Sequence, residues 1–67
     1  MKIYFNDTLL ELPDDFMSVA DFLKFKDIPP QGTAIAIDGK LIPKIAWNIT
    51  KFSPLCRVNV ISAAFGG

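Results

Sequence analysis

A chain of 67 residues with a single cysteine has to fold around its hydrophobic core, because one thiol cannot form an internal disulfide. A chain of this length forms one domain at most, and such a domain buries only about 60% of its unfolded surface. Hydrophobic residues make up 51% of the sequence, which is too many for a disordered chain. The lone Cys56 favours a reducing compartment, and we therefore expect a cytoplasmic protein.

The composition also argues against several classes of function. Histidine is absent, so neither a His-based metal site nor a Ser-His or Cys-His catalytic pair is available, and a small enzyme is a poor interpretation. Seven basic residues balance seven acidic ones, and the scattered positive charges make a poor nucleic-acid surface. No apolar run approaches the roughly 18 residues of a membrane span, and the first residues lack the pattern of a secretory signal. We expect neither a nucleic-acid nor a membrane partner.

The first twelve residues have the alternating pattern of a β-hairpin. Ile3 and Phe5 fall on one face of the first strand, with polar or amphipathic residues between them. The pair Asn6-Asp7 suits a tight turn because both residues tolerate positive φ. A second strand then returns over residues 8–12, with Leu10 and Leu12 directed inward.

A short amphipathic helix follows this hairpin. Ser18 is the predicted N-cap, and Asp21, three residues later, makes a variant of the capping box. The apolar positions have the spacing i, i+3, i+4 of one helical stripe: Val19, Phe22 and Leu23. The helix is expected to end near Asp27, because Pro29-Pro30 cannot continue it.

The second half of the chain predicts another hairpin and a final strand. Residues 33–37 and 40–42 form the hairpin around Asp38-Gly39. The stretch 44–56 shows no clean period and is predicted as a loop with at most one helical turn and Trp47 packed inward. Residues 57–62 form the last strand.

The order of these elements is hairpin, helix, hairpin and strand, which predicts an α+β fold. A mixed sheet of about four to five strands with one main helix across one face is the simplest way to pack them. Placing the last strand beside the first gives a ubiquitin-like β-grasp. We assign residues 1–62 to this domain and residues 63–67 to a C-terminal tail that ends in Gly66-Gly67.

The sequence resembles the thiamine-biosynthesis sulfur carrier family over nearly its whole length. The similar segments are Met1-Lys2-Ile3, Asn6-Asp7, Glu11-Leu12-Pro13, residues 18–23, residues 34–39, Ile42-Pro43, Trp47, residues 57–60 and Gly66-Gly67. The sequence departs from the family at Leu55-Cys56, because family members usually carry a Gly-Asp turn before the last strand.

The resemblance implies a carrier that catalyses nothing and binds no cofactor itself. A ubiquitin-activating-like adenylyltransferase would use ATP to adenylate Gly67. A sulfur donor protein would supply the sulfur that converts Gly67 to a thiocarboxylate, and a thiazole synthase would take this sulfur for the thiazole ring of thiamine. Phe65 and Gly66 would lie in the partner's active-site channel.

Glycine suits the end of such a tail because it has no Cβ and would pass through a channel too narrow for side chains. The five residues 63–67 would reach about 17 Å when extended, at about 3.4 Å each. The tail would then enter a buried active site while the folded body stays outside.

The predicted sheet also has a candidate docking face on the side away from the helix. Its residues are Tyr4, Leu9, Arg57, Asn59 and Ile61. An apolar cluster rimmed by polar groups usually marks an interface, and this one would adjoin the start of the tail. We expect it to contact the activating enzyme and also the synthase.

Several alternatives remain open at the level of sequence. The chain is also compatible with a carrier of the molybdopterin synthase small-subunit type, or with a ubiquitin-like binding module whose tail is inert. Phe65 either anchors the tail in a partner or folds back onto its own domain. Cys56 is interpreted as a small apolar residue and not as a reactive thiol.

Overall fold

Five strands, one α-helix and one 3₁₀ turn form within residues 1–62, the part of the chain that this computed structural model describes. The predicted tail 63–67 lies outside the described residues. In chain order the elements are β1 (Lys2–Phe5), β2 (Thr8–Glu11), α1 (Val19–Phe25), β3 (Thr33–Ile37), β4 (Lys40–Ile42), the 3₁₀ turn (Lys44–Ala46) and β5 (Arg57–Ser62).

The strands form a single mixed sheet in the order β2-β1-β5-β3-β4. β1 and β5 pair in parallel, with Tyr4 opposite Arg57 and Phe5 opposite Val58, and the other neighbours are antiparallel. The chain therefore has the predicted α+β architecture, and the last strand lies beside the first as expected.

Both hairpins turn through residues with positive φ. Asn6 and Asp7 have φ of 47° and 70°, and Asp38 and Gly39 have φ of 51° and 82°. Two successive positive values match the type I′ turn, whose twist suits antiparallel strands, and Asn, Asp and Gly are the residues that reach it most easily. The two-residue turns therefore fix the register of both hairpins.

The N-terminus of α1 has the predicted capping box. The Ser18 hydroxyl accepts a hydrogen bond from the Asp21 backbone N–H at 3.1 Å, and the Asp21 carboxylate accepts one from the Ser18 N–H at 3.3 Å. Hydrogen bonds that Ser18 donates to the Asp21 carboxylate, from its backbone N–H first and from its side chain second, lower the pKa of Asp21. The cap sets the first helical residue at Val19.

The segment between the 3₁₀ turn and β5 completes the helix N-terminus, a role that its sequence did not reveal. The N–H groups of Val19 and Ala20 donate to the carbonyls of Thr50 and Trp47, at 2.9 and 3.1 Å. These two N–H groups belong to the first helical turn, where no intrahelical partner exists. Trp47 is buried, as predicted, and its indole N–H donates to the Ile42 carbonyl at 3.1 Å.

The core lies between α1 and the sheet, and Phe22 is at its centre. Its ring makes edge-to-face contacts with Phe5 and Phe52, each with 5.3 Å between ring centroids. Edge-to-face pairs are a favourable aromatic geometry and contribute beyond the area they bury. Phe52, in the loop before β5, therefore packs against α1, and Phe22 of α1 packs in turn against Phe5 of β1. The largest fully buried side chains are Phe22, Ile3, Ile35, Val19 and Val58.

The entry to β5 is the point at which the sequence departs from the family pattern, and the backbone there is unusual. Leu55 has φ of 61°, in the left-handed region that costs a residue with a Cβ roughly 1–2 kcal/mol. The conformation allows the Leu55 N–H to donate to the Lys2 carbonyl at 2.6 Å, while the Tyr4 N–H donates to the Cys56 carbonyl at 2.9 Å. Leu55 thus has the backbone conformation that glycine adopts most easily, although its own side chain makes that conformation unfavourable.

Substitution of Leu55 tests this strain. Leu55→Asn should raise the free energy of unfolding by about 0.5–1 kcal/mol, because Asn adopts positive φ more readily, and Leu55→Val should lower it. Urea unfolding followed by circular dichroism measures both changes. Leu41→Asn, at an exposed position of β4, is the control and should give no gain. If Leu55→Asn destabilises the protein as much as Leu41→Asn does, Leu55 is not strained.

Candidate functional site

The face of the sheet turned away from α1, called the outer face from here on, carries all five residues predicted to dock a partner. Ile3, Ile35 and Val58 point into the core, so the residues that alternate with them point outward. The predicted outer-face residues are Tyr4, Leu9, Arg57, Asn59 and Ile61. The structure places them on the three adjacent strands β2, β1 and β5.

Tyr4 is the centre of one half of the outer face. It lies opposite Leu9 on β2 and opposite Arg57 on β5. The Arg57 guanidinium carbon is 5.4 Å from the centroid of the Tyr4 ring, which is cation–π distance. This contact holds the charged group against the Tyr4 ring, and Tyr4 separates it from the exposed Leu9 on the next strand.

The other half is formed by the end of β5 with β3 and β4. Asn59 lies opposite Ala36, and Ile61 lies opposite Ala34. Ala36 in turn lies opposite Leu41 on β4. The small alanine side chains leave a low strip of surface between Ile61 and Leu41.

Leu41 is a member of the outer face that sequence reasoning missed. Its side chain is 65% exposed, compared with 58% for Ile61 and 50% for Leu9. The sequence could have predicted this position, because the two-residue turn at Asp38-Gly39 places Leu41 opposite Ala36. Three large exposed apolar side chains, rimmed by Arg57 and Asn59, form the kind of surface that usually binds another molecule.

The strand β5 is fixed to the body near both of its ends. At its start, the Asp38 carboxylate accepts a hydrogen bond from the Arg57 N–H at 2.9 Å, and the Asp38 N–H donates to the Arg57 carbonyl at 2.7 Å. Further along, the Asn6 side-chain oxygen accepts from the Val60 N–H at 2.8 Å. The Asn6 N–H donates to the Val58 carbonyl at 2.8 Å, so Asn6 continues the pairing of β5 beyond the end of β1.

The predicted tail residues Phe65, Gly66 and Gly67 lie outside the described residues, and their roles stay predictions. The last described residue is Ser62, which lies opposite Thr33 on β3. It follows Ile61 of the outer face directly in the chain.

Cys56 is a buried side chain at the entry to β5, with 4% of its surface exposed. Burial raises the pKa of its thiol, which keeps the group protonated near neutral pH. A protonated, buried thiol is a poor nucleophile, which supports a packing role. Among residues 1–62 no group of three side chains is arranged to hold a metal ion. No helix in this part of the chain is long and apolar enough to span a membrane.

The mixed sheet, the single helix across it and the exposed outer face define a ubiquitin-like β-grasp protein. The model of the ThiS family matches residues 3–67, and the chain belongs to that family. The resemblance to the thiamine-biosynthesis sulfur carriers is thereby confirmed.

The fold agrees with a solved structure. The crystal structure of the thiamine biosynthesis protein (ThiS) from Geobacter metallireducens superposes with a TM-score of 0.85, at 14% sequence identity and with 100% of each chain covered. At this identity the similarity shows the fold alone. No curated protein matches the sequence.

The hydrogen bonds of Asn6 can be tested with a variant that keeps the turn. Asn6→Gly retains positive φ but removes the side-chain contact with Val60. We expect a loss of about 1–2 kcal/mol in the free energy of unfolding beyond that of Asp7→Gly. Asp7 is the matched control, because it has positive φ in the same turn and its side chain makes no comparable contact with β5. Hydrogen exchange at the Val60 amide should also become faster in Asn6→Gly alone. Equal effects of the two variants would show that the Asn6 side chain does not fix β5.

Proposed function

We propose that this chain is a sulfur carrier of thiamine biosynthesis and that Gly67 is its reactive residue. The observation that supports the proposal most directly is the family match, which runs to residue 67 and so includes the Gly-Gly pair. A ubiquitin-activating-like adenylyltransferase is the proposed first partner, and a sulfur donor protein and a thiazole synthase are the later ones. The reducing cytoplasm, which suits a free thiol such as Cys56, is the proposed location.

The chemistry begins at the Gly67 carboxylate. A C-terminal carboxylate has a pKa near 3.5 and is ionised at neutral pH. One of its oxygens attacks the α-phosphate of ATP, and pyrophosphate leaves with the electron pair of the broken bond. Hydrosulfide from the sulfur donor then attacks the carbonyl carbon of the acyl adenylate. AMP leaves with the electron pair of the broken C–O bond, and loss of the S–H proton gives the thiocarboxylate.

The partner supplies the catalysis for these steps, and the carrier supplies recognition. Two negatively charged groups react only when a partner neutralises the phosphates and aligns the atoms, and such positioning is a large part of catalysis. We infer that the body of the carrier presents the tail and that Phe65 and Gly66 occupy the partner's channel.

We propose that the partner binds the outer face and so holds the carrier body while the tail enters the partner's channel. Leu9, Leu41 and Ile61 offer exposed apolar area, and Arg57 offers a positive charge held against Tyr4. A partner that binds here would hold the body beside the point where β5 ends. Because the activating enzyme and the synthase both act on Gly67, we propose that the two use this face in turn.

Deletion of Gly67 tests the reactive residue. Without it the terminal carboxylate lies one residue short, and ATP–pyrophosphate exchange with the activating enzyme should fall to background. The thermal midpoint should hardly change, because terminal residues contribute little to a packed core. Normal exchange by the shortened chain would contradict the assignment of Gly67 and would favour the inert-tail alternative.

A charge placed on the outer face tests the docking surface. Ile61→Asp should raise the apparent KM of the activating enzyme for the carrier about tenfold, equal to 1.4 kcal/mol, because the buried interface would then contain an unpaired carboxylate. Leu41→Asp should act in the same direction.

The matched control is Ile45→Asp. Ile45 is 91% exposed and lies in the 3₁₀ turn, outside the strands that form the outer face, so the KM for this variant should stay unchanged. Circular dichroism checks that each variant is folded. An unchanged KM for folded Ile61→Asp, or an equal rise for Ile45→Asp, would place the docking surface elsewhere.

A further inference from the structure

Phe16 is an exposed phenylalanine in the loop that leads into α1. Its side chain is 78% exposed, more than that of Leu41, the most exposed apolar residue of the outer face. The backbone around the ring is fixed on both sides. The Phe16 N–H donates to the Asp14 carboxylate at 2.8 Å, and the Lys51 ammonium donates to the Phe16 carbonyl at 2.9 Å. A ring on such a backbone loses little conformational freedom when it binds another surface.

A groove of about 140 Å³ lies between α1 and the segment that contains Trp47. It is lined by Ala20, Leu23, Lys24, Ile28, Pro30 and Trp47. An apolar cavity of about 150 Å³ binds benzene, so this volume suits one phenyl ring. Pockets for whole small-molecule ligands are larger, about 300–1,000 Å³. The groove therefore fits a single apolar side chain of another protein chain.

Phe16 and the groove lie at the two ends of one strip of the surface. The segments 16–20 and 47–51 run antiparallel along this strip. At one end the Ala20 N–H donates to the Trp47 carbonyl at 3.1 Å, and these two residues line the groove. At the other end is the phenyl ring. Because the ring is exposed, it does not fill the groove of its own molecule.

The end of the strip that carries the ring has a surplus of negative charge. Asp14 and Asp15 directly precede the ring in the chain. Asp15 and Glu11 share the Met1 ammonium, each at 2.8 Å. Lys51 supplies the second positive charge at this end, so three carboxylates lie beside two cations.

The groove end has the opposite charge. Lys24 lines the groove, and the Lys44 ammonium lies 5.6 Å from the centroid of the Trp47 ring. None of the lining residues is acidic. Asp21, one turn before Lys24 on α1, is engaged in the capping box with Ser18. A second copy of the chain thus offers this groove a phenyl ring beside carboxylates, which matches both its size and its charge.

We infer that two copies of this chain associate through these features, with Phe16 of each copy in the groove of the other. Such a contact is isologous, because each copy contributes the same surface and a twofold axis passes through the middle of the strip. Ile49, which is 77% exposed, lies within the segment 47–51 and faces its counterpart near this axis. The inference goes beyond the proposed function, because it holds whether or not Gly67 accepts sulfur.

The area of this contact predicts a weak, reversible dimer. A phenylalanine buries about 150 Å² or more, so two rings and the groove walls that they cover amount to roughly 600 Å². The Ile49 side chains add to this area, but the total stays below the roughly 1,200 Å² of a standard stable complex. Because α1 and the outer face lie on opposite sides of the sheet, the dimer leaves both outer faces open.

Sedimentation equilibrium over a concentration series that ends at about 1 mM tests the inference. The average mass of the wild type should rise from 7.4 kDa toward twice that value and level off there. Phe16→Ala should weaken association about tenfold or more, because the dimer loses both rings. Phe25→Ala is the matched control and should leave association unchanged, because Phe25 is an exposed phenylalanine of α1 that does not line the groove.

A charge reversal at the groove tests the electrostatic part. Lys24→Glu should weaken association about threefold to tenfold, because the dimer contains this contact twice and each exposed ion pair contributes modestly. Lys26→Glu changes the net charge equally, but the Lys26 ammonium lies over the Phe5 ring, at 5.4 Å from its centroid, and Lys26 does not line the groove. This control should change association by less than about twofold.

Nuclear magnetic resonance on a mixture of labelled and unlabelled copies locates the contact. We expect intermolecular Overhauser effects from the Phe16 ring to the Ile28 methyl groups and the Trp47 indole. Ala20→Leu fills the groove and should prevent self-association. It should still pair with Phe16→Ala, because one of the two ring contacts survives in that mixture.

The expected result is a doubling of mass that Phe16→Ala abolishes and Phe25→Ala retains. A constant monomer mass over the whole series would overturn the inference. So would a dimer that Phe16→Ala leaves intact, a mass that rises beyond twice the monomer, or Overhauser effects between the outer faces. Circular dichroism checks that each variant is folded, and if Ala20→Leu is not, Phe16→Ala and the Overhauser effects decide. Ile61→Asp should leave the dimer unchanged, so that a failure of this inference is distinguished from a failure of the proposed docking surface.

Discussion

The parallel pairing of β1 with β5 is the contact on which the rest of the structure depends. It joins the two ends of the domain, yet only Tyr4 with Arg57 and Phe5 with Val58 are in direct register. Hydrogen bonds on either side extend this short ladder: Leu55 donates to β1 before β5 begins, and Asn6 pairs with β5 after β1 has ended. β5 is thereby held in the middle of the sheet, where it carries three residues of the outer face, Arg57, Asn59 and Ile61.

The sequence predicted the elements whose signals are local. Alternation located the strands, Asn6-Asp7 and Asp38-Gly39 located the turns, and Ser18 located the first residue of the helix. These features depend on residues only a few positions apart, so one sequence suffices to recognise them. The strand order also predicted the outer face, although without Leu41, which lies on the edge strand β4 and reaches this face through its pairing with Ala36.

The stretch 44–56 was beyond such reasoning because its contacts are distant in sequence. Phe52 packs on Phe22, and the carbonyls of Trp47 and Thr50 accept from the first N–H groups of α1. The sequence shows no periodicity that would reveal contacts of this kind. The left-handed Leu55 was equally hidden, since leucine gives no sign that its φ is positive.

We propose that the folded body provides recognition and the end of the tail provides the chemistry, and the central claim is that Gly67 carries the sulfur. The most direct measurement is the intact mass of the protein after incubation with the activating enzyme, ATP and a sulfur source. The account predicts an increase equal to the exchange of one oxygen for one sulfur, located at Gly67 by fragmentation of the ion. An unchanged mass, or sulfur bound instead at Cys56, would contradict it.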